Sequence, residues 1–177
     1  MLRRIIIFLC LILFLGTIIF LLLNFNTTYY YFAYGSNMDI DLLRNRIDNN
    51  CLVPEGYAKL ENYKLVFPRG VGSVVSDENK EVYGCLYLLN KKEIEKLDVV
   101  EGYRKDRNKS ENSYNREWID VVLQNGKTIS AEIYIQTNNT DINGKPSNSY
   151  KQTLVRGASD CSLPDFYIQE LEAIETK

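Results

Sequence analysis

An aromatic stretch near the N-terminus, residues 29–38, predicts a strand, a tight turn and the start of a helix. Tyrosine and phenylalanine dominate up to Tyr34, Gly35-Ser36-Asn37 forms the turn, and a helical pattern occupies residues 39–47. A glycine at position 35 allows backbone angles closed to other residues, so several main-chain N–H groups could point the same way, reinforced by the helix N-terminus. The stretch therefore predicts a cradle for a carboxylate or an oxyanion, although such a turn also occurs without any ligand.

The remainder of the chain alternates strand and helix signals. Strands are predicted at residues 56–67, 70–75, 82–89, 118–123 and 128–136, the last two joined by a hairpin at Asn125-Gly126. Helices are predicted at residues 39–47, 90–101, 149–156 and 164–174; a capping box opens the second, and Gly157 is expected to end the third. Residues 104–117 and 138–148 are expected to be polar loops, the first of them mobile. This order predicts an α+β fold, a small mixed β-barrel or sheet with helices packed outside.

Glu101 stands at the end of the second predicted helix, on its apolar face. It follows Ile94 and Leu97 at helical spacing, so the periodicity points its carboxylate inward. Burial would raise its pKa, which would let it both accept and return a proton at neutral pH. The structural alternative is that Glu101 accepts N–H bonds from the backbone, or pairs with Arg69 or Arg104.

The composition excludes several classes of site. Histidine is absent from the 177 residues, so His-activated nucleophiles and His-ligated metals are excluded. The net charge is −2 and the basic residues are scattered, so nucleic-acid binding is not expected. The four cysteines, Cys10, Cys51, Cys85 and Cys161, match neither a metal site nor a disulfide framework and are interpreted as small buried residues. One bridge among the last three stays open if the domain lies in an oxidising compartment.

An uncharged apolar run at residues 5–23 predicts a membrane-spanning helix of ~28 Å. Arg3 and Arg4 place residues 1–4 in the cytoplasm, which puts the domain in the lumen or outside the cell. Residues 24–30 would be a linker and the start of the first strand, and residues 31–177 one domain. A cleaved secretory signal is the alternative, but no small-residue cleavage site follows the run.

Five ordered groups of motifs resemble the γ-glutamylcyclotransferase family, over essentially all of the chain after its first thirty or so residues. They are 31–38 (YFAYGSNM), 82–87 (VYGCLY), 97–102 (LDVVEG), 134–138 (YIQTN) with 149–151 (SYK), and 157–158 (GA) with 163–167 (LPDFY). The resemblance implies a cofactor-independent and metal-independent enzyme that cyclises a γ-glutamyl group to 5-oxoproline and releases an amino acid. The first motif is more similar to the γ-glutamyl amino acid branch than to the glutathione-specific relatives.

The resemblance also implies roles for individual residues. Glu101 would be the catalytic acid and base, and Tyr34, Gly35, Ser36 and Asn37 would hold the glutamyl part of the substrate. Tyr150 and Tyr114 would line or cover the pocket.

Two other functions fit the same residues. One is a γ-glutamylamine cyclotransferase that acts on substrates such as γ-glutamyl-lysine. The other is a non-catalytic γ-glutamyl-binding module at a membrane surface, suggested by the apolar segment and the charged loop after Glu101. The expected partners are a small γ-glutamyl substrate and, through the N-terminal helix, a membrane, with self-association into a homodimer left open.

Overall fold

The computed structural model describes residues 27–137 and 141–177, together with Phe14 and Gly16. Within them, five strands close into a barrel in the order β1–β3–β2–β4–β5. The strands are β1 (Thr28–Ala33), β2 (Gly56–Val66), β3 (Ser73–Asn90), β4 (Tyr114–Leu123) and β5 (Thr128–Gln136). The pairings are antiparallel, except that β1 and β5 are parallel and close the barrel at Tyr31 and Glu132.

Within residues 27–137 and 141–177, four α-helices pack outside this barrel: α1 (Ile40–Ile47), α2 (Lys91–Glu101), α3 (Asn148–Asp160) and α4 (Asp165–Glu172). The predicted α+β class is therefore confirmed. The predicted membrane segment, residues 5–23, lies outside the described residues apart from Phe14 and Gly16. The described residues contain no helix that is both long enough and apolar enough to span a bilayer.

Local signals set the ends of α2 as the sequence predicts. The side chain of Asn90 accepts hydrogen bonds from the backbone N–H groups of Lys92 and Glu93, and the Glu93 carboxylate accepts from the Asn90 N–H. This reciprocal pair satisfies N–H groups that lack a partner within the helix. Gly102 ends α2 in the left-handed conformation with φ of 67°. Both ends of the helix that carries Glu101 are thus fixed by its own sequence.

The sequence prediction for β3 was wrong in one respect. Residues 70–75 and 82–89 were predicted to be separate strands, but Ser73–Asn90 forms one strand that pairs along β2 in a long hairpin. The pairing register shifts between Glu61 and Tyr63, beside Asn62 with its positive φ of 63°. The polar residues 77–80, which predicted a break, lie opposite this irregularity, and a β-bulge accommodates extra residues without ending a strand.

The C-terminal helices also differ from the prediction. Gly157 was predicted to end a helix, but α3 continues through it to Asp160. A Cβ atom at position 157 would overlap the backbone of Met38 and Asp39, so this glycine permits close contact between α3 and the turn after β1. The sequence alone does not distinguish a glycine that allows close packing of two backbones from a glycine that ends a helix.

The segment between α2 and β4, predicted to be a mobile polar loop, contains a buried side chain with several hydrogen bonds. Asn112 is buried, and its side-chain oxygen accepts hydrogen bonds from the Arg104 N–H and the Arg107 Nε. β4 begins at Tyr114, four residues before the predicted start at Trp118. This extension matters for the site, because it makes Tyr114 part of the barrel.

The three cysteines among the described residues divide into a pair and a single residue, and Cys10 lies outside the described residues. Cys85 of β3 and Cys161 at the end of α3 are buried and paired as a disulfide, with their Cα atoms 5.8 Å apart. The bridge that the sequence left open is therefore present. Cys51 is exposed and free, so its interpretation as a buried residue was wrong.

Candidate active site

A pocket opens where β1 runs into the turn after it, and it gathers every site residue predicted from the sequence. Its cavity volume is ≈ 30 Å³. Seven predicted residues line it, together with three that were not predicted as site residues: Tyr34, Gly35, Ser36, Asn37, Glu101, Tyr114 and Tyr150, with Tyr31, Gly72 and Tyr134. An adjoining outer cleft of ≈ 450 Å³ shares Ser36, Glu101, Tyr114 and Tyr150 with this inner pocket.

Glu101 points into the pocket, as its helical spacing predicts. Its side chain is 13% exposed, and Oε1 accepts a hydrogen bond of 2.9 Å from Asn37 Nδ2. Burial raises the pKa of Glu101, while the Asn37 hydrogen bond and the positive charge of Arg46 act in the opposite direction. A buried carboxylate whose ionised form is still supported by two neighbours is suited both to accept and to return a proton.

The cation beside Glu101 is Arg46. Arg69 and Arg104 were the arginines considered for this position from the sequence. Arg46 Nη1 lies 3.7 Å from Glu101 Oε1. Arg104 instead pairs with Asp106 at 2.7 Å, on the surface. The sequence placed Arg46 only at the C-terminal end of α1, and nothing in its position there distinguishes it from Arg44.

Asn37 connects the charged groups of the pocket. Its Nδ2 donates to Glu101 and, over 2.7 Å, to the hydroxyl of Tyr31. Its Oδ1 accepts a hydrogen bond from Arg46 Nη1, which also donates to Ser36 Oγ at 3.3 Å. Because Asn37 is buried, these bonds fix its amide orientation and with it one oxygen of Glu101.

The backbone cradle is built differently from the prediction. One turn of 3₁₀ helix, Ser36–Met38, follows Gly35, and the first N–H groups of such a turn have no acceptor within it. The N-terminus of α1 does not serve the pocket, because Asp39 caps it by accepting from the Leu42 N–H. Asp39 also pairs with Arg156 of α3, whose Nε lies 2.7 Å from Asp39 Oδ2. The expected contribution of the α-helix N-terminus to the cradle was therefore wrong.

The hydroxyl of Tyr150 occupies the cradle. It accepts a hydrogen bond of 2.9 Å from the Gly72 N–H. Burial raises the pKa of Tyr150, while hydrogen bonds with the backbone of Gly72 and Ser36 act in the opposite direction. A Cβ atom on Gly35 or Gly72 would lie 3.2 or 3.0 Å from this oxygen, so both glycines permit its approach. The Tyr150 hydroxyl thus lies beside the backbone of two separate segments, at Gly35 and at Gly72.

The other two predicted tyrosines use their hydroxyls in different ways. Tyr114 donates to the Gly72 carbonyl at 2.8 Å, while the Gly72 N–H donates to Tyr150. The backbone of Gly72 therefore connects the two tyrosine hydroxyls. Tyr34 donates to the Tyr134 carbonyl at 2.6 Å and is buried. Tyr34 therefore offers the pocket the surface of its ring, while its hydroxyl holds β1 to β5.

A second polar layer lies behind the pocket. Tyr134 donates to Asp98 at 2.7 Å, and Arg116 lies 3.5 Å from Asp98 and 3.4 Å from Glu132. Burial raises the pKa of Asp98 and of Glu132, and Arg116 opposes this for both. Asp98 precedes Glu101 by three residues, so helical periodicity could have identified it. This layer holds Tyr134, which forms one wall of the pocket.

Gly72 was not predicted as a site residue, because residues 70–75 were interpreted as a strand. Across residues 27–137 and 141–177, no three metal-binding side chains converge in a way that could hold a metal ion. The pocket itself is lined by one buried carboxylate, backbone groups and tyrosine side chains, with Arg46 beside the carboxylate.

Comparison with known proteins identifies the family. The sequence profile of the AIG2-like family matches residues 81–171. γ-Glutamylcyclotransferase of Mus musculus is 32% identical over 161 residues, covering 84% of this chain and 79% of the mouse protein. The Homo sapiens γ-glutamylcyclotransferase is 29% identical over 159 residues, with the same coverage.

The fold agrees with these relatives. A solved structure of a γ-glutamyl cyclotransferase superposes with a TM-score of 0.72 at 26% identity, covering 85% of this chain and 90% of that chain. YkqA from Bacillus subtilis superposes with a TM-score of 0.67 at 20% identity and shares the fold. By its sequence profile, its relatives and its barrel, this chain belongs to the AIG2-like family, which includes the γ-glutamylcyclotransferases.

Proposed function

We propose that the protein is a γ-glutamylcyclotransferase, which converts a γ-glutamyl amino acid or peptide to 5-oxoproline and a free amino acid. The observation that carries this proposal is the buried Glu101, hydrogen-bonded to Asn37 and facing a cradle of backbone N–H groups. The similarity to γ-glutamylcyclotransferases of two mammals supports it.

In the proposed reaction, the α-amine of the γ-glutamyl group attacks its own γ-carbonyl carbon. Glu101 takes a proton from the attacking ammonium, and the carbonyl electrons move to the oxygen as the carbon becomes tetrahedral. When the intermediate collapses, the bond to the leaving nitrogen breaks and the carbonyl re-forms. Glu101 returns protons to the leaving nitrogen. The attacking ammonium loses two protons as it becomes the ring N–H of 5-oxoproline. The leaving nitrogen gains two protons as it becomes the ammonium group of the released amino acid, so the protons balance.

The pocket offers two contributions to this rate besides the proton transfer. Holding the chain folded makes the attack intramolecular, and the effective concentration from such positioning is large. The N–H groups of Ser36 and Gly72 would stabilise the oxyanion, and removing one such donor costs about 3–4 kcal/mol in other enzymes. The Tyr150 hydroxyl now occupies that position, so substrate entry requires this side chain to move.

The small size of the inner pocket also requires Tyr150 to move before a substrate can enter. Its ≈ 30 Å³ is enough for a group the size of a water molecule. A γ-glutamyl group needs more room, and displacement of Tyr150 toward the outer cleft would provide it. Tyr150 would then cover the bound substrate.

The deciding experiment measures release of 5-oxoproline from γ-glutamyl amino acids by the full-length chain in detergent. Glu101→Gln should lower kcat by about 10²- to 10⁴-fold, as expected for loss of a general acid and base. Glu95→Gln is the matched control, because Glu95 lies on the same helix with its side chain 59% exposed and should keep full activity. Full turnover by Glu101→Gln would end the proposal.

Binding without turnover is the alternative function. The specific observation that favours it is the Tyr150 hydroxyl, which already satisfies the cradle. This alternative predicts that a γ-glutamyl analogue binds to the protein while no γ-glutamyl compound releases 5-oxoproline.

The apolar residues 5–23 carry a separate proposal, that the domain is anchored to a membrane and faces the lumen or the exterior. Resistance of the chain to alkaline extraction from membranes, with protection of the domain from added protease in sealed vesicles, is the expected result. Recovery of the chain in the alkaline supernatant would refute the anchor.

A further inference from the structure

The outer cleft begins at Glu101 and is lined by one cation, Arg46. Six hydroxyl-bearing side chains and three aliphatic ones surround these two charged residues: Ser36, Ser147, Ser149, Thr153, Tyr114 and Tyr150, with Leu42, Val71 and Val100. In the proposed reaction Glu101 protonates the leaving nitrogen. The leaving group must therefore start at Glu101, and the adjoining cleft of ≈ 450 Å³ is the space that can receive it.

Arg46 has hydrogen-bond donors to spare at this position. Its contacts with Asn37, Ser36 and Glu101 all use Nη1. Among the described residues, neither Nε nor Nη2 has a partner, and the side chain is 26% exposed. A guanidinium group carries five N–H donors in a planar fork that matches a carboxylate. The remaining donors of Arg46 therefore suit an anionic group in the cleft.

We infer that the outer cleft is the leaving-group subsite and that Arg46 selects leaving groups bearing an α-carboxylate. This inference rests on the proposed function. In an α-amino acid, two covalent bonds separate the nitrogen from the carboxylate carbon, so a leaving nitrogen at Glu101 places its carboxylate beside Arg46. A γ-glutamyl amine, or γ-glutamyl-lysine linked through its side-chain amine, has no carboxylate at that distance. Arg46 thus decides between the two substrate classes that the sequence left open.

Arg46 also touches Asn37 and Glu101, so a simple loss of activity on substitution would not separate recognition from positioning. The test therefore compares two substrates, γ-glutamyl-alanine and γ-glutamyl-ethylamide, which differ only in the carboxylate of the leaving group. A disturbance of Glu101 lowers kcat/KM for both by the same factor. Only loss of carboxylate recognition changes the ratio of the two values.

The wild-type chain should prefer γ-glutamyl-alanine by about 10- to 100-fold, the effect of a hydrogen bond to a charged group. Arg46→Gln should bring this ratio close to one, and Arg46→Lys should restore part of it. Arg44→Gln is the control, because Arg44 lies two residues away on the same helix and bonds to the Leu52 carbonyl. It should retain the wild-type ratio.

Several results would overturn the inference. A wild-type chain that turns over both substrates equally well has no carboxylate selection. If Arg46→Gln lowers both rates but keeps the ratio, Arg46 only positions its neighbours. If Arg46→Gln fails to fold, Arg46→Lys replaces it in the comparison. A substrate ratio in Arg46→Lys equal to the wild-type ratio would then refute selection by the guanidinium group. Absence of 5-oxoproline from either substrate with folded wild-type chain would instead refute the proposed function itself.

Discussion

Replacing Asn37 with alanine should weaken catalysis by changing the ionisation of Glu101. The Asn37 amide donates 2.9 Å to Glu101 Oε1 and favours the charged carboxylate, so its removal should raise the pKa of Glu101 further. The proton acceptor would then be ionised only at higher pH. A hydrogen bond to a charged group contributes about 1.5–3 kcal/mol, which corresponds to a loss of about 10- to 100-fold in kcat/KM on the acidic side of the profile.

The assay is the pH dependence of kcat/KM for 5-oxoproline release, whose acidic limb reports the base of the free enzyme. For Asn37→Ala this limb should move to higher pH. The matched control is Asn49→Ala, since Asn49, which follows α1, donates over 2.7 Å to the Glu93 carboxylate of α2, away from the pocket. Its acidic limb should stay at the wild-type position. An unmoved limb in a folded Asn37→Ala protein would refute this account of Glu101.

Three further substitutions test other parts of the structure. Burial holds the pKa of Glu101 above its ordinary 4.5, so the wild-type chain loses stability as pH rises from 4.5 through the folded-state pKa. Glu101→Gln should therefore unfold at a higher temperature than wild type at neutral pH, and the difference should vanish below pH 4.5; a constant difference across this range would contradict the reasoning. Gly72→Ala places a Cβ 3.0 Å from the Tyr150 hydroxyl and should lower kcat/KM by about 3- to 10-fold. Because Tyr150→Phe removes that hydroxyl, the double variant should have the same kcat/KM as Tyr150→Phe alone. Gly157→Ala overlaps the backbone at Asp39 and should cost about 1–3 kcal/mol in urea unfolding, so an unchanged midpoint would show that α3 does not pack as described.

Short-range signals carried most of what the sequence predicted correctly. The capping box of Asn90 and Glu93, the glycine stop at Gly102 and the hairpin at Asn125-Gly126 each act within a few residues. The inward direction of Glu101 also follows from spacing along one helix. These features were predictable because the chemistry of a cap, a turn or a helical face is contained in the segment that forms it.

Errors arose where one residue type serves two purposes. Gly157 was interpreted as a helix stop, but it lies inside α3 because the turn after β1 packs against it. Residues 70–75 and 82–89 were predicted to be separate strands, but pairing with β2 on both sides of residues 77–80 makes them one strand. In both cases a contact with a distant segment overrides the local preference.

The sequence by itself predicted the family, the α+β class and the seven site residues that line the inner pocket. Tertiary structure alone decided which arginine reaches Glu101 and which backbone groups meet Tyr150. Arg44 and Arg46 look equivalent in the sequence, and only the packing of α1 beside the end of α2 brings Arg46 to the carboxylate. Gly72 and Tyr150 are 78 residues apart, and they meet because α3 packs beside the segment that precedes β3. Such contacts depend on how separate elements pack, and no local pattern encodes that.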